Sequence, residues 1–329
     1  MVIDPATQGE ILDQLIQIIR SNYVYPQLAE KICIHMEQTQ KGGEYQELTE
    51  GDLFALGLTL QLQEASHDEH LWVRYHAESI PKGEAALRFN QIWQEQQKSN
   101  AKRENFGFYK LDNLPGNVAY VDLRYLHRVE WVRDKIANIM QSIAACRAAI
   151  IDLRKCTGGY PDTVCLLCSY LFEEKPVHLL SIYWRDVDKT QEYWTNPQFV
   201  GLQFFKKPLF LLTSCETFSA AEALAEILQS HKRAIIVGEK TDGGSHPGAS
   251  FFLHEHFEAF IPIGLSINPL TGKDWEGDGI KPDILAPAPH SFNLAYRLAL
   301  EEILSRLDAD VPQEFQLADE IHTALKELE

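Results

Sequence analysis

The sequence predicts an α/β fold, with a mainly parallel central sheet and a smaller helical region before it. Three observations predict this. From about residue 116, short apolar runs alternate with segments whose apolar residues recur three and four apart, as in strand–helix–strand units. Residues 8–76 carry the helical period alone. The chain of 329 residues is 45% hydrophobic and 23% charged, enough to bury a sizeable core.

Taken in order, "GEILDQLIQIIRSNYV", "PQLAEKICIHMEQTQ" and "TEGDLFALGLTLQLQEA" read as helices, the last capped by Thr49. The stretch from Ala77 to Phe108 is polar and irregular and reads as a connecting segment or lid. The expected division is a helical domain over 1–78, that segment over 79–108, and a core with C-terminal helices over 109–329. Within the core, "GNVAYVDLRYL" is a strand and "VEWVRDKIANIMQSIAAC" a helix. "AAIIDLR" and "DTVCLLCSYLF" repeat the pair, and "VHLLSIYWR" is a further strand. "PLFLLTS" and "AEALAEILQS" follow as strand and helix, then "AIIVGEK" as a strand. "SFFLHEHFEAFIPIGLSIN" reads as two more strands, and residues 291–328 as helical.

The formal net charge of −17 argues against nucleic acid and anionic membrane surfaces as partners, because few cations remain to neutralise phosphates. The first residues carry neither a basic n-region nor an apolar h-region, and no apolar run approaches a bilayer span, so a cytoplasmic location is expected. Six cysteines, scattered through apolar runs, read as reduced core thiols. Cys165 and Cys168 form a C-x-x-C inside a helical run, without the turn residues or second pair of a metal or redox site. No metal or cofactor is expected.

Three loops follow strand ends, where such sheets keep their sites. "KCTGGYPD" carries Gly158 and Gly159, which allow close backbone approach to a ligand. "CETFSAAE" carries Ser219, with Glu222 three residues on. That is an S-x-x-E capping box, so Ser219 reads as a helix cap or as a nucleophile at the head of a helix. "TDGGSHPG" carries Gly243, Gly244 and His246.

"AAIIDLRKCTGG", "LLTSCETFSAAEALAEILQSHKRAIIVGEKTDGGSHP" and "INPLTGKDWEGDGIKPDI" resemble, in order and spacing, the tail-specific or C-terminal processing serine proteases. The likeness is to the branch with the tricorn core protease and interphotoreceptor retinoid-binding protein, and it covers most of residues 8–285. It implies a crotonase/ClpP-like core. No PDZ-like segment is evident before residue 116. It also implies the roles of single residues. Ser219 falls on the nucleophile. Gly244 stands where the tail-specific proteases carry their general-base lysine, so a Ser–Lys dyad is absent. The tricorn-like branch uses a histidine and a glutamate instead, which fall on His70 in "SHDEHLWV" and Glu276 in "DWEGDGIKPD". Glu69 replaces that branch's serine beside the histidine, where it would orient the imidazole or raise its pKa. Backbone N–H groups of Gly158 or Gly159 and of Ala220 would form the oxyanion hole. Arg154, which begins the double-glycine loop, reads as a site residue or as a structural one bridging to an acidic neighbour.

His67 competes with His70, and His246, beside Gly243 and Gly244, is the rival base. The resulting expectation is a serine peptidase acting on short or unfolded peptides through Ser219. The alternatives are a carrier of a hydrophobic small molecule such as a retinoid-like ligand, with Tyr160, Trp184, Trp194 and Trp275 lining its pocket, and a scaffold that has kept the fold. A homo-oligomer is suggested by analogy with the fold superfamily.

Overall fold

The computed structural model describes residues 2–81, 84–173, 175–196, 201–308 and 311–328. In chain order its first half contains α1 (Pro5–Asn22), α2 (Pro26–Gly42), α3 (Gly51–Ser66), β1 (Trp72–Tyr75), α4 (Glu84–Arg103), β2 (Phe108–Leu114), β3 (Val118–Leu123), α5 (Val129–Ala144), β4 (Ala148–Asp152) and α6 (Pro161–Leu171). Then come β5 (His178–Trp184), β6 (Lys189–Trp194), β7 (Leu209–Thr213), α7 (Ala220–Ser230), β8 (Ile235–Gly238), β9 (Gly248–His254), β10 (Phe257–Pro262), β11 (Gly264–Ile267), β12 (Ile284–Leu285), α8 (Ala288–Leu304) and α9 (Pro312–Glu327). No helix among the described residues is long and apolar enough to cross a membrane.

These elements form two compact units. A helical unit gathers three stretches, Met1–Gln96, Ser181–Gln191 and Gly244–Ile267; a sheet unit gathers Gln97–Leu180, Glu192–Gly243 and Asn268–Glu329. The expected segments 1–78, 79–108 and 109–329 were contiguous, whereas each compact unit is assembled from distant pieces of chain. Residues 82 and 83 of the expected connecting segment lie outside the described residues.

In the helical unit, α1 starts where local chemistry says it should. Asp4 accepts the Thr7 N–H at 2.9 Å and Pro5 takes the first helical position, where its missing donor costs nothing. Helix α2 ends on Gly43 at φ 77°, the left-handed conformation that glycine adopts without a Cβ penalty. The cap of α3 is Glu50 rather than Thr49. Ile11, Leu15, Ile19, Ile32, Met36 and Leu58 bury the facing sides of these helices. Strand β1, which the sequence reading missed, pairs antiparallel with β10, and β10 with β9. Its partner lies almost two hundred residues away, so no local pattern announces it. The run expected as two strands is three: β9, β10 and β11. Strand β11 pairs antiparallel with the Ser181–Trp184 part of β5.

The sheet unit holds six strands in the order β12-β8-β7-β4-β3-β2. All neighbours are parallel except β2 and β3, so the expected mainly parallel α/β core is present. Strands β4 and β7 are buried along their whole length, as continuous apolar runs in a sheet covered on both faces should be. Ala295, Ala299, Leu300 and Ile303 of α8 pack with Ile150, Phe210, Leu212 and Val237 in one core. Strands β2 and β6 were also missed; both are largely exposed and carry charged residues, so they lack the apolar signature. Between α3 and β2 the described chain contains β1, α4 and a short turn, with no PDZ-like domain.

Candidate active site

Strand β7 ends at Thr213, and the chain turns sharply before α7 begins at Ala220. Ser219 sits on that turn at φ 56°, ψ −123°. An ordinary N-cap has extended backbone. A residue with a Cβ held here is strained, and such strain collects at functional sites. A serine in a strand-to-helix connection at a sheet's carboxyl edge is placed where α/β folds expose a nucleophilic hydroxyl; here residues 214–219 make that connection. Ser219 is half-buried and Ala220 buried.

The strain is held by Glu222, whose side chain has no exposure to solvent. Its Oε2 accepts the Ser219 N–H at 2.8 Å. Its Oε1 accepts the Thr241 hydroxyl at 2.5 Å and the Gly243 N–H at 2.8 Å. A buried carboxylate is tolerable only with such partners. One side chain thus ties the serine turn to the glycine loop after β8. That loop is tied onward: Gly277 N–H donates to Gly243 O at 2.8 Å, which brings the segment of Glu276 to it. Glu276 itself is half-buried.

The double-glycine loop lies against the same turn. A Cβ on Gly158 (φ 102°) would come within 2.8 Å of Ser219 Cβ and 3.0 Å of Ala220 N, so only glycine fits there. The loop is fixed from below, with Phe218 N–H donating to Cys156 O, the Ser214 hydroxyl to Arg154 O and the Thr217 hydroxyl to Leu153 O. Among the described residues neither Gly159 N–H nor Ala220 N–H has an acceptor. Arg154 pairs with Asp152 at 2.5 Å and donates to Ala288 O, the bridging role expected of it.

The helical unit carries the imidazoles. Helix α3 ends at Ser66, and exposed His67 caps it in a left-handed conformation at φ 56°. Asp68 follows, 1% exposed. Its Oδ2 faces His246 Nδ1 at 2.9 Å and accepts the Tyr23 hydroxyl at 3.0 Å. Its Oδ1 accepts the His70 backbone N–H at 3.0 Å and lies 3.7 Å from His70 Nδ1. Burial pushes the Asp68 carboxyl up, but hydrogen bonds from His246 and His70 outweigh it and hold the group well below the usual carboxylate range. His246 is 1% exposed, and its Nε2 is 3.2 Å from the Tyr25 hydroxyl. Glu69, by contrast, is exposed. The buried carboxylate at the imidazoles is its neighbour Asp68, which the sequence reading passed over. A signal was present: Asp two residues before His70 is the spacing of an Asx turn, in which the carboxylate accepts the later N–H.

Of the expected residues, Ser219, Gly158, Gly159, Ala220, Gly243 and Glu276 therefore belong to the sheet unit. His70, Glu69, Gly244 and His246 belong to the helical unit. Of the aromatic residues considered for an apolar pocket, Trp275 is buried, while Trp194 is exposed and stacks on His178.

A mainly parallel α/β sheet with a strained serine between strand and helix, and a double-glycine loop against it, is an architecture of the serine-peptidase class. Residues 117–286, more than half of the chain, match peptidase family S41, and residues 6–106 match the N-terminal domain of peptidase S41 in eukaryotic IRBP. The chain belongs to peptidase family S41.

Solved structures with TM-scores above 0.5 share the fold at low identity. A protein from Parabacteroides merdae ATCC 43184 superposes with a TM-score of 0.60 at 14% identity, over 94% of this chain and 99% of that one. The tricorn protease gives 0.52 at 12%, over 96% of this chain and 37% of the other. The photosystem II D1 C-terminal processing protease gives 0.42 at 20%, over 52% of this chain, which spans 42% of that protease's length.

Proposed function

We propose that the protein cleaves short or unfolded peptides by acyl transfer through Ser219, with an imidazole oriented by Asp68 as general base. The observation that carries the reading is the backbone of Ser219: a left-handed serine at the head of α7, pinned through its own N–H by a fully buried carboxylate. A helix cap needs neither feature. In the reaction the Ser219 hydroxyl would add to the scissile carbonyl while the base takes its proton, and the Gly159 and Ala220 N–H groups would receive the developing oxyanion. The imidazolium then returns the proton to the leaving amine, and water releases the acyl group.

His70 is the favoured base. Its Nδ1 edge faces Asp68, while both ring nitrogens of His246 already face partners within the helical unit. A carboxylate hydrogen-bonded to one ring nitrogen fixes the tautomer, as Asp68 does for His246 at 2.9 Å; at 3.7 Å from His70 Nδ1 it would act on that ring through its charge, stabilising the imidazolium in the part expected of Glu69. Glu276, held at the glycine loop, remains a proposed member of the site. The 2.9 Å approach of His246 Nδ1 to Asp68 favours a second assignment, with His246 as base and Tyr25 as its polar neighbour.

The test is labelling with a serine-directed fluorophosphonate, followed by turnover of a peptide library. Wild type is expected to label and Ser219→Ala not to, with kcat falling by about 10⁴- to 10⁶-fold. Loss of labelling in His70→Ala but not His246→Ala supports the first assignment, and the reverse pattern the second. Wild type that stays unlabelled while folded would leave the carrier reading, which the match to an IRBP N-terminal domain favours.

A further inference from the structure

The sheet unit carries a cavity at the other end of the strand that leads to Ser219. It has a volume of about 400 Å³ and opens at the amino ends of β7 and β8, beside Leu209 and Ile235. Ser219 follows the carboxyl end of β7, so the strand, rising about 3.3 Å per residue over five residues, separates the two. Leu209, Phe210, Ile284 and Leu298 give the cavity apolar walls. Its polar lining is Lys206, Lys207, Lys232, Arg233 and Arg306 against a single acid, Glu302.

That balance is unexpected in a chain of net charge −17, where acids outnumber bases and would ordinarily surround a group of cations. Much of the charge is uncompensated. Arg306 pairs with Glu302 at 2.6 Å, and Lys206 approaches Glu173 only at 3.9 Å between exposed side chains. Among the described residues Lys207, Lys232 and Arg233 have no carboxylate partner. The Arg233 guanidinium spends its bonds on the carbonyls of Leu171, Lys207 and Phe204, and Lys207 Nζ on those of Ala144 and Cys146. These hold the cations in place without neutralising them. Burial pushes the Arg233 guanidinium down to about 10, as expected for a cation taken out of water without a counter-charge.

Lys206 and Lys232 both have left-handed φ, 63° and 54°, a conformation that glycine adopts more readily. Both line this cavity; Lys232 stands at the left-handed position that ends α7, its N–H donating to Gln229 O and the Arg233 N–H to Leu228 O, so glycine would suit the turn and the sequence has lysine there instead.

We infer that this cavity binds a small amphipathic anion, a carboxylate or phosphate monoester on a short apolar body, at a site separate from Ser219. The head would take Lys206, Lys232 and the guanidinium edge of Arg233, and the apolar body the wall of Leu209 and Leu298.

Isothermal titration with octanoate tests this on the full chain, with octanamide and inorganic phosphate as the uncharged and headgroup-only probes. Octanoate is expected to saturate one site, with each control at least about tenfold weaker. The double variant Lys206→Gly/Lys232→Gly removes two charges at positions whose backbone suits glycine, so its Tm should not fall. Its octanoate affinity should drop about tenfold. Ser219→Ala should bind octanoate as wild type does. The inference is overturned by no saturable octanoate binding, by octanamide or phosphate matching octanoate, by undiminished affinity in the double variant, or by loss of binding in Ser219→Ala.

Discussion

Two carboxylates organise this molecule, and they do so over very different distances in the chain. Glu222 lies three residues from Ser219 and reaches its N–H within one helical turn. Asp68 lies 178 residues from His246 and meets it only after the chain has left the helical unit, built most of the sheet unit and returned. Both groups are buried and multiply hydrogen-bonded. What differs is the source of their placement: the Glu222 contact with Ser219 follows from a local turn and helix start, the Asp68 contact with His246 from tertiary assembly.

The comparison can be broken most directly at Asp68. If this carboxylate orients the catalytic imidazole, Asp68→Asn should lower kcat by about 10⁴-fold while leaving the fold recognisable by circular dichroism. A drop of less than tenfold would move the orienting role elsewhere, with Glu276 the first alternative to mutate.

Glu222→Gln is the matched experiment in the sheet unit. The amide keeps the shape but turns an N–H₂ toward backbone donors, leaving buried groups unsatisfied at a cost of about 1–3 kcal/mol. Turnover should fall further than stability alone explains, because the Ser219 turn is released. A variant with lowered Tm and unchanged kcat in its folded fraction would make Glu222 purely structural.

Gly158→Ala probes the closeness of the two loops. The added Cβ meets Ser219 Cβ at 2.8 Å and requires φ near 102°, so a loss of about 1–3 kcal/mol is expected in thermal unfolding. An unchanged Tm would mean that the loops are less tightly apposed.

The smallest effect is a pH signature. Because Asp68 titrates below the ordinary carboxylate value of about 3.9, its contribution to stability is fully present above that value and is lost as pH falls through the lower folded value. Wild type should therefore lose stability below about pH 4 more steeply than Asp68→Asn. Parallel acid-unfolding curves for the two proteins would count against a depressed Asp68.

The fold was largely legible where structure is local. The strands β4, β7 and β8 and helices α1, α2, α6 and α7 follow from apolar runs and apolar periodicity. Strands β1, β2 and β6 were not. β1 is four residues long, and β2 and β6 are exposed and charged; β1 and β2 pair at edges with partners that supply their order. The candidate site divides in the same way. Ser219, Glu222 and the glycine pairs stood out as a helix start and unusual turns, while Asp68 was hidden in "SHDEH" beside a more conspicuous Glu69 and His70.

By itself, the sequence determined the parallel sheet, the helical beginning and the serine at the head of a helix, because hydrophobic period and turn chemistry act within a few residues. Only the tertiary structure decided that residues 244–267 join the helical unit, that Asp68 faces the imidazoles, and that five cations gather around one apolar cavity. Those outcomes depend on which distant segments exclude water together, and burial of that kind has no local signature.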